Sequence, residues 1–560
     1  MLSPGAAACV IAQDFLQTVV IVDDQADLGL GNVGGPVSVI GSNSAADAQV
    51  EGDGVLGRDP EADSPSTVDI EAEPSPDLVE PTDDALSVAE HGVLDAKKII
   101  NEFAQLGLVC GVIRPEEAED IGPIVNTAAR RADVLILDWW MHGDAGTTSK
   151  AIVEQLASSD GHQDRLRLVI IYTAAQDLRR VAEEVSGSLG DAKVAHNRVV
   201  AGSIRLVVLA KPDTQVDPSL SEDVVPFDAF PARVVKEFAG AVEGLLSNVA
   251  FAALAAIRSN THRMLNRFDH ALDPAFLGHR MLLPDPEDAE RHLVELILQE
   301  LSAVLESAAV GRNADYEAVH QLVSDSVLTV EHLEKLGEFA ARNEMSIADL
   351  AMQFVKLGVN DPECKLSIKE RKEIRGWIST IFTFGSDELE DISPDVGKEW
   401  SVLMFNKLQY GDRRSELRLG VVVRDSITGA FMLCMQPVCD SVRLNARTSF
   451  PFLPLEEASG SADIVIRHSG AYHLLNVKLR FRDLVMVPFD PSSDAPRAVK
   501  AVRPTASDSW RFVPASDDSR YLEWVTELRD NFAHKFANRF AESASRVGTD
   551  DSELFRRGAL

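Results

Sequence analysis

The sequence predicts an α/β fold: a doubly wound parallel sheet near the N-terminus, then a helical stretch, then an α+β region. Three observations carry this. Between Thr18 and Pro212, short continuous apolar runs alternate with helical patterns, as strands buried on both faces do. Ala232 to Leu272 runs without a proline, which opens a helical section. From about Leu417 the apolar period shortens to two, the spacing of antiparallel strands with one face buried.

Taken in order, Thr18–Val22 (TVVIV) is the first strand and ends on Asp23 and Asp24. Gly29 to Glu90 then contains no aromatic residue, and Asp47 to Glu90 holds 14 acidic residues, one Arg (Arg58) and five prolines. So acidic and apolar-poor a segment cannot repay its ordering entropy, and residues 27–90 are expected to be a disordered insert. A helix is expected over Asp95–Leu106, a strand over Leu108–Ile113 and a helix over Ala118–Arg130. Val134–Leu137 is a strand ending on Asp138, Leu168–Tyr172 one ending on Thr173, and Leu206–Ala210 one ending on Lys211-Pro212. That makes five parallel strands, and such a sheet binds ligands at the carboxyl ends of its strands.

Downstream, helices are expected within Ala232–Leu272, over Ala289–Ala309, and two or three within Val330–Trp377. Leu417–Arg424, Phe431–Gln436, Ala462–Arg467 and Tyr472–Leu479 read as strands, with hairpin turns at Ile427-Thr428-Gly429 and His468-Ser469-Gly470. A terminal helix spaces Leu528, Phe532, Phe536 and Phe540 by four along one face, as core residues would be. The expected organisation is an N-terminal tail (1–17), the sheet domain (18–212), a linker (213–230), a helical region (231–400) and an α+β output domain (401–560).

Composition narrows the function classes. The 560 residues carry 54 Lys+Arg against 88 Asp+Glu, a net charge of −34. This weighs against a broad nucleic-acid surface, which depends on cationic side chains. No run of about 20 apolar residues occurs, so no membrane span is expected. The N-terminus lacks the cationic start of a secretory signal, and five scattered cysteines do not form a disulfide framework. A cytoplasmic protein is expected.

The strand ends carry the chemistry. Asp23, Asp24 and Asp138 would repel one another unless a hard cation such as Mg²⁺ relieved them. Lys211 can neutralise a phosphoryl oxygen and the Thr173 hydroxyl can bond another, which suits phosphoryl transfer onto Asp138. Asp24 and Asp138 lie 114 positions apart, and removing the 62 aromatic-free residues leaves 52, room for the usual intervening elements.

These residues resemble the receiver domain of two-component response regulators: Asp23-Asp24, Asp138, Thr173-Ala174 and Lys211-Pro212, each after its strand. Asp138-Trp139-Trp140-Met141-His142-Gly143-Asp144-Ala145-Gly146 is similar to that family's loop, with His142 in place of the usual Pro. The resemblance spans about Thr18 to Pro212 and implies a flavodoxin-like, bacterial-type receiver. Asp138 would accept phosphoryl from the phosphohistidine of a sensor histidine kinase. Asp24, Asp138 and the Trp140 main-chain carbonyl would ligate Mg²⁺, with Asp23 helping through water, and Thr173 and Lys211 would sense the phosphoryl group.

The sequence departs from the family pattern in three places. Val208 stands where a switching Tyr or Phe is common. Thr173 to Lys211 is long enough for an extra element around Lys193 to Val200. Trp140 is bulky and is expected to screen the acyl phosphate from water.

Phosphorylation is expected to act on a C-terminal output region, with homodimerisation through the helix after Ala232. Alternatives are a receiver-controlled hydrolase or transferase near Cys439 and Asp440, and a phosphate sink or scaffold, for example in phage defence. No separate catalytic domain is evident. The basic run Lys365–Arg375, with Glu370 and Glu373 interleaved, reads as a solvated helix face rather than a DNA-binding one.

Overall fold

The structure is a computed structural model describing residues 4–28, 93–115, 118–161, 165–241, 244–325, 327–328, 330–377, 382–383, 395–408, 414–493, 497–505, 509–515 and 519–545. The expected acidic insert (27–90) lies outside them, apart from its first two residues. The chain divides into two units, Met1–Ala255 and Ala256–Leu560.

In the first unit, helix α1 (Pro4–Phe15) precedes strand β1 (Thr18–Val22). Next come α2 (Ala96–Gln105), β2 (Val109–Ile113), α3 (Ala118–Ala129), β3 (Val134–Leu137), α4 (Thr147–Gly161), β4 (Arg167–Thr173) and α5 (Leu178–Ser186). A hairpin of β5 (Lys193–Ala195) and β6 (Arg198–Ala201) leads into β7 (Ile204–Ala210), and α6 (Phe230–Ala241) follows. The sheet order is β2-β1-β3-β4-β7-β6-β5, parallel from β2 to β7 and antiparallel across β6 and β5. The five parallel strands thus run in flavodoxin-like order, with the switch point between β1 and β3. The expected five-stranded sheet has seven strands here, because the extra element after Thr173 is a hairpin that extends the β7 edge.

Alternation along each strand feeds two cores. Val19, Ile21, Ile136, Ile170 and Leu209 face α1, α2 and α6 through Ala12, Ile99, Phe103, Phe230 and Phe238. Val22, Leu135, Leu137, Ile171 and Val208 face α3, α4 and α5 through Val125, Ile152, Leu156, Val181 and Val185. Two segments expected as a tail and a linker are folded onto the sheet's cores. Residues 1–17 contain α1, whose Phe15 stacks on Phe238 and packs at a tilt against Phe251. Residues 213–230 return to the sheet: the Val225 N–H donates to the Ala210 carbonyl, and Phe227 packs on Tyr172. Aromatic burial outweighs the ordering entropy at both places.

The second unit begins with helices. Within 232–272 the chain forms α6 and α7 (Leu245–Arg267), the latter crossing the unit boundary; Gly244 separates them at φ 137°. Then come α8 (Asp273–Leu282), α9 (Asp288–Ser307) and α10 (Tyr316–Asp325). After the short strand β8 (Val327–Leu328) lie α11 (Val330–Arg342), α12 (Ile347–Leu357) and α13 (Ile368–Trp377), which share a small core of Leu336, Leu350, Cys364 and Ile374. In the basic run, Glu370 and Glu373 bridge to Arg342 and Lys335 on α11. Short β9 (Phe382–Thr383) pairs with β8, and α14 (Val396–Phe405) leads to the large sheet.

That sheet is antiparallel: β10 (Val421–Asp425), β11 (Phe431–Cys434), β12 (Thr448–Glu457), β13 (Ile464–His468), β14 (Ala471–Val477), β15 (Val485–Phe489), β16 (Arg511–Phe512) and β17 (Leu522–Glu527). Its order is β13-β14-β12-β11-β10-β17-β16, with β15 also on β12. The four strands expected from period-two patterning are β10, β11, β13 and β14. Strand β12 escaped that reading because Pro451 and Pro454 interrupt its pattern. The terminal helix α15 (Asp530–Ser545) places Phe536 in the core beside Leu528, with Phe532 and Phe540 partly buried against it. Gly420, at φ +92°, lets Ala533 approach to where a Cβ would lie 2.8 Å away.

Candidate functional site

The parallel ladder sets the site. Register pairs Val22 with Leu137, Leu137 with Ile171, and Thr173 with Ala210, so the residues following each strand emerge on one edge. Asp23, Asp138, Thr173 and Lys211 are 2%, 6%, 0% and 2% exposed, so any charge among them requires a partner. Lys211 supplies it: its Nζ lies 2.9 Å from Asp23 Oδ2 and 2.8 Å from Asp138 Oδ1. Burial alone would pull the Lys211 ammonium down. The Asp138 and Asp23 charges outweigh burial and hold it above the ordinary lysine value. Burial lifts the Asp138 carboxyl above the ordinary carboxylate range, Lys211 opposes this, and Asp23 adds to it.

Backbone donors fix the remaining oxygens. The Trp140 N–H donates to Asp138 Oδ2 at 2.8 Å, and the Gln25 N–H to Asp23 Oδ1 at 2.8 Å. Thr173 Oγ1 accepts from the Ala175 N–H at 3.1 Å. Asp24 Oδ2 accepts the His142 N–H at 2.9 Å, while buried Asp24 Oδ1 has no hydrogen-bond partner. The Trp140 carbonyl accepts the Gly143 N–H and keeps a second lone pair.

The metal-ligand candidates offer only oxygen, and one of those atoms is an orphaned buried carboxylate oxygen, which suits a hard divalent cation. Among the described residues no three His, Cys, Asp or Glu side chains form a metal cage. Mg²⁺ does not need one, since it usually takes one or two carboxylates, waters and phosphoryl oxygens.

The loop after Asp138 is held by contacts that strand-end reasoning did not reveal. Ser149 Oγ donates to the Asp138 carbonyl at 2.6 Å from a fully buried position. The Asp144 carboxylate accepts the Gly146 and Thr148 N–H groups and caps α4. Gly146, at φ +83°, leaves room for the buried Trp139 ring, which a Cβ would meet at 2.3 Å. Gly143-Asp144-Ala145-Gly146 carried that signal as a turn and cap. Trp140 itself is 43% exposed. Nearby, Asp27 pairs with the start of α2: the Asp27 N–H donates to the Leu94 carbonyl and the Ala96 N–H to the Asp27 carbonyl.

A comparison with protein families matches residues 15–216 to the response receiver domain. This segment is a receiver domain. The rest of the chain matches no family, and no curated protein or solved structure matches the chain. The receiver gives the chain a phosphoacceptor role of the response-regulator kind and places it in two-component signalling, where the general phosphodonor is a histidine kinase. Among the described residues no helix is long and apolar enough to cross a membrane.

In the second unit, Cys434 is buried, and burial pushes its thiol up to about 12, so it is inert. Cys439 is exposed in the 3₁₀ turn Val438–Asp440, where the Asp440 carbonyl accepts the Gln436 amide. One cavity of this unit is lined by other residues, among them Arg424, His468 and His473.

Proposed function

We propose that Asp138 is the phosphoacceptor and that the donor is the phosphohistidine of a sensor histidine kinase inside the cell. A carboxylate oxygen of Asp138 attacks phosphorus, the phosphorus–nitrogen bond breaks, and the imidazole nitrogen leaves with the electron pair. Asp24, Asp138 and the Trp140 carbonyl would hold Mg²⁺, with Asp23 through water. Bound there, the ion supplies neutralisation of the phosphoryl oxygens.

The observation that carries this reading is the double contact of Lys211 with Asp23 and Asp138. Lys211 turns from the carboxylate pair toward the incoming phosphoryl oxygens, and the Thr173 hydroxyl bonds another of them. Exposed Trp140 screens the product from water.

The signal passes to the C-terminal unit, with dimerisation through α7, on which Leu246, Leu254 and Leu265 stand exposed. Sedimentation with and without phosphodonor reads that step, and an unchanged monomer removes it. Acetyl phosphate with Mg²⁺ should add one phosphoryl mass to the wild type and none to Asp138→Ala. An increment in both proteins, or in neither, sinks the assignment.

A further inference from the structure

The large antiparallel sheet of the second unit carries a polar mouth. Along its α15-facing side the apolar residues give way, toward one edge, to a different kind. Val422 is followed by Arg424 on β10, Leu455 by Glu457 on β12, and Ile466 by His468 on β13; Leu475 is preceded by His473 on β14. Pairing fixes that level: Arg424 faces both Phe431 and Glu523, and Ile466 faces His473. A cavity of about 400 Å³ opens there, lined by Arg424, Phe431, Glu457, His468 and His473 among others.

The two imidazoles are held, not loose. Glu457 Oε1 lies 2.8 Å from His473 Nδ1, and Glu523 Oε2 lies 3.7 Å from His468 Nε2 and 3.9 Å from Arg424 Nη1. The rings stand 6.3 Å apart between centroids, and both pack on Phe431, at 5.7 and 4.8 Å. One nitrogen of each ring lies beside a carboxylate, Nδ1 of His473 by Glu457 and Nε2 of His468 by Glu523.

We infer that this mouth is a binding site for a small phosphate monoester. One guanidinium and two imidazoles from three strands converge on the several oxygens of a tetrahedral oxyanion better than on a planar carboxylate, and Arg424 supplies the fork that phosphate recognition favours. The cavity falls in the size range of small-molecule sites and exceeds what a bare phosphate ion fills. The site stands on the second unit alone and does not depend on the receiver reading.

The test uses the full chain labelled with ¹⁵N-histidine, without magnesium, titrated with phenyl phosphate and separately with benzoate. His468→Gln and His473→Gln assign the ring signals. Phenyl phosphate should shift both rings saturably, and benzoate should not. Arg424→Gln should raise the apparent Kd about tenfold, the loss expected for one charge-assisted hydrogen bond, and His473→Gln should also weaken binding. Immobile rings, equal response to benzoate, or an unchanged Kd in Arg424→Gln with folding intact each overturn the proposal.

Discussion

The receiver edge and the polar mouth of the second unit are both clusters of charged side chains at one end of a sheet, yet they are built oppositely. In the receiver, Asp23, Asp138 and Lys211 are almost wholly buried, and the one ammonium bridges both carboxylates. At the mouth, Arg424 and Glu457 have side chains 41% and 63% exposed, and solvent screens their pairs. Buried charges must be matched before the chain can fold, whereas exposed ones can be placed for a ligand at little cost.

Removing one charge from each place should sharpen this contrast most. Lys211→Met leaves two buried carboxylates facing each other and should cost the receiver about 3–5 kcal/mol, the usual penalty for breaking a buried pair. Arg424→Gln should cost the second unit no more than about 1 kcal/mol. Urea unfolding followed by hydrogen exchange in peptides of each unit measures both, and equal losses would erase the distinction.

A smaller effect is expected at Gly146. Its alanine variant adds left-handed strain to a collision with Trp139, together about 2–4 kcal/mol. The same exchange-resolved unfolding should place that loss in β3 and α4. A receiver as stable as the wild type would mean that the Trp139 ring moves freely.

The smallest expected effect is a pH dependence in the second unit. Burial would raise the Asp425 carboxyl, but the Ile427 N–H and the Arg520 guanidinium outweigh it and hold it below the ordinary carboxylate range. A depressed carboxylate contributes stability that is present above its unfolded value and lost as pH falls through its folded one. Acid titration of the melting temperature should therefore fall below the ordinary carboxylate range, and Asp425→Asn should flatten that limb. An identical slope in the variant would assign the loss to other groups.

The two sheets also differ in what could be read beforehand. Parallel strands all run the same way, so their functional residues sit at equivalent places, just after each apolar run. Asp23, Asp24, Asp138, Thr173 and Lys211 were therefore visible as strand-end residues, and the structure brings Asp23, Asp138 and Lys211 into contact. Antiparallel strands reverse at each turn, so one edge of the sheet collects ends of some strands and beginnings of others. Arg424, Glu457 and His468 come late in their strands, while Phe431, His473 and Glu523 come early. No linear spacing unites them, although the hairpin predicted at His468-Ser469-Gly470 already placed His468 near His473.

By itself, then, the chain's order of apolar runs and charges determined a parallel α/β receiver, the carboxylates and lysine at its strand ends and the hairpins that follow, because those depend on local period and strand direction. Tertiary structure alone decided that Lys211 bridges Asp23 and Asp138, that Ser149 anchors the Asp138 carbonyl, that residues 4–15 and 213–230 belong to the receiver core, and that residues from five strands line one mouth. Those outcomes depend on contacts between segments far apart in the chain, which are set by register and packing rather than by neighbours in sequence.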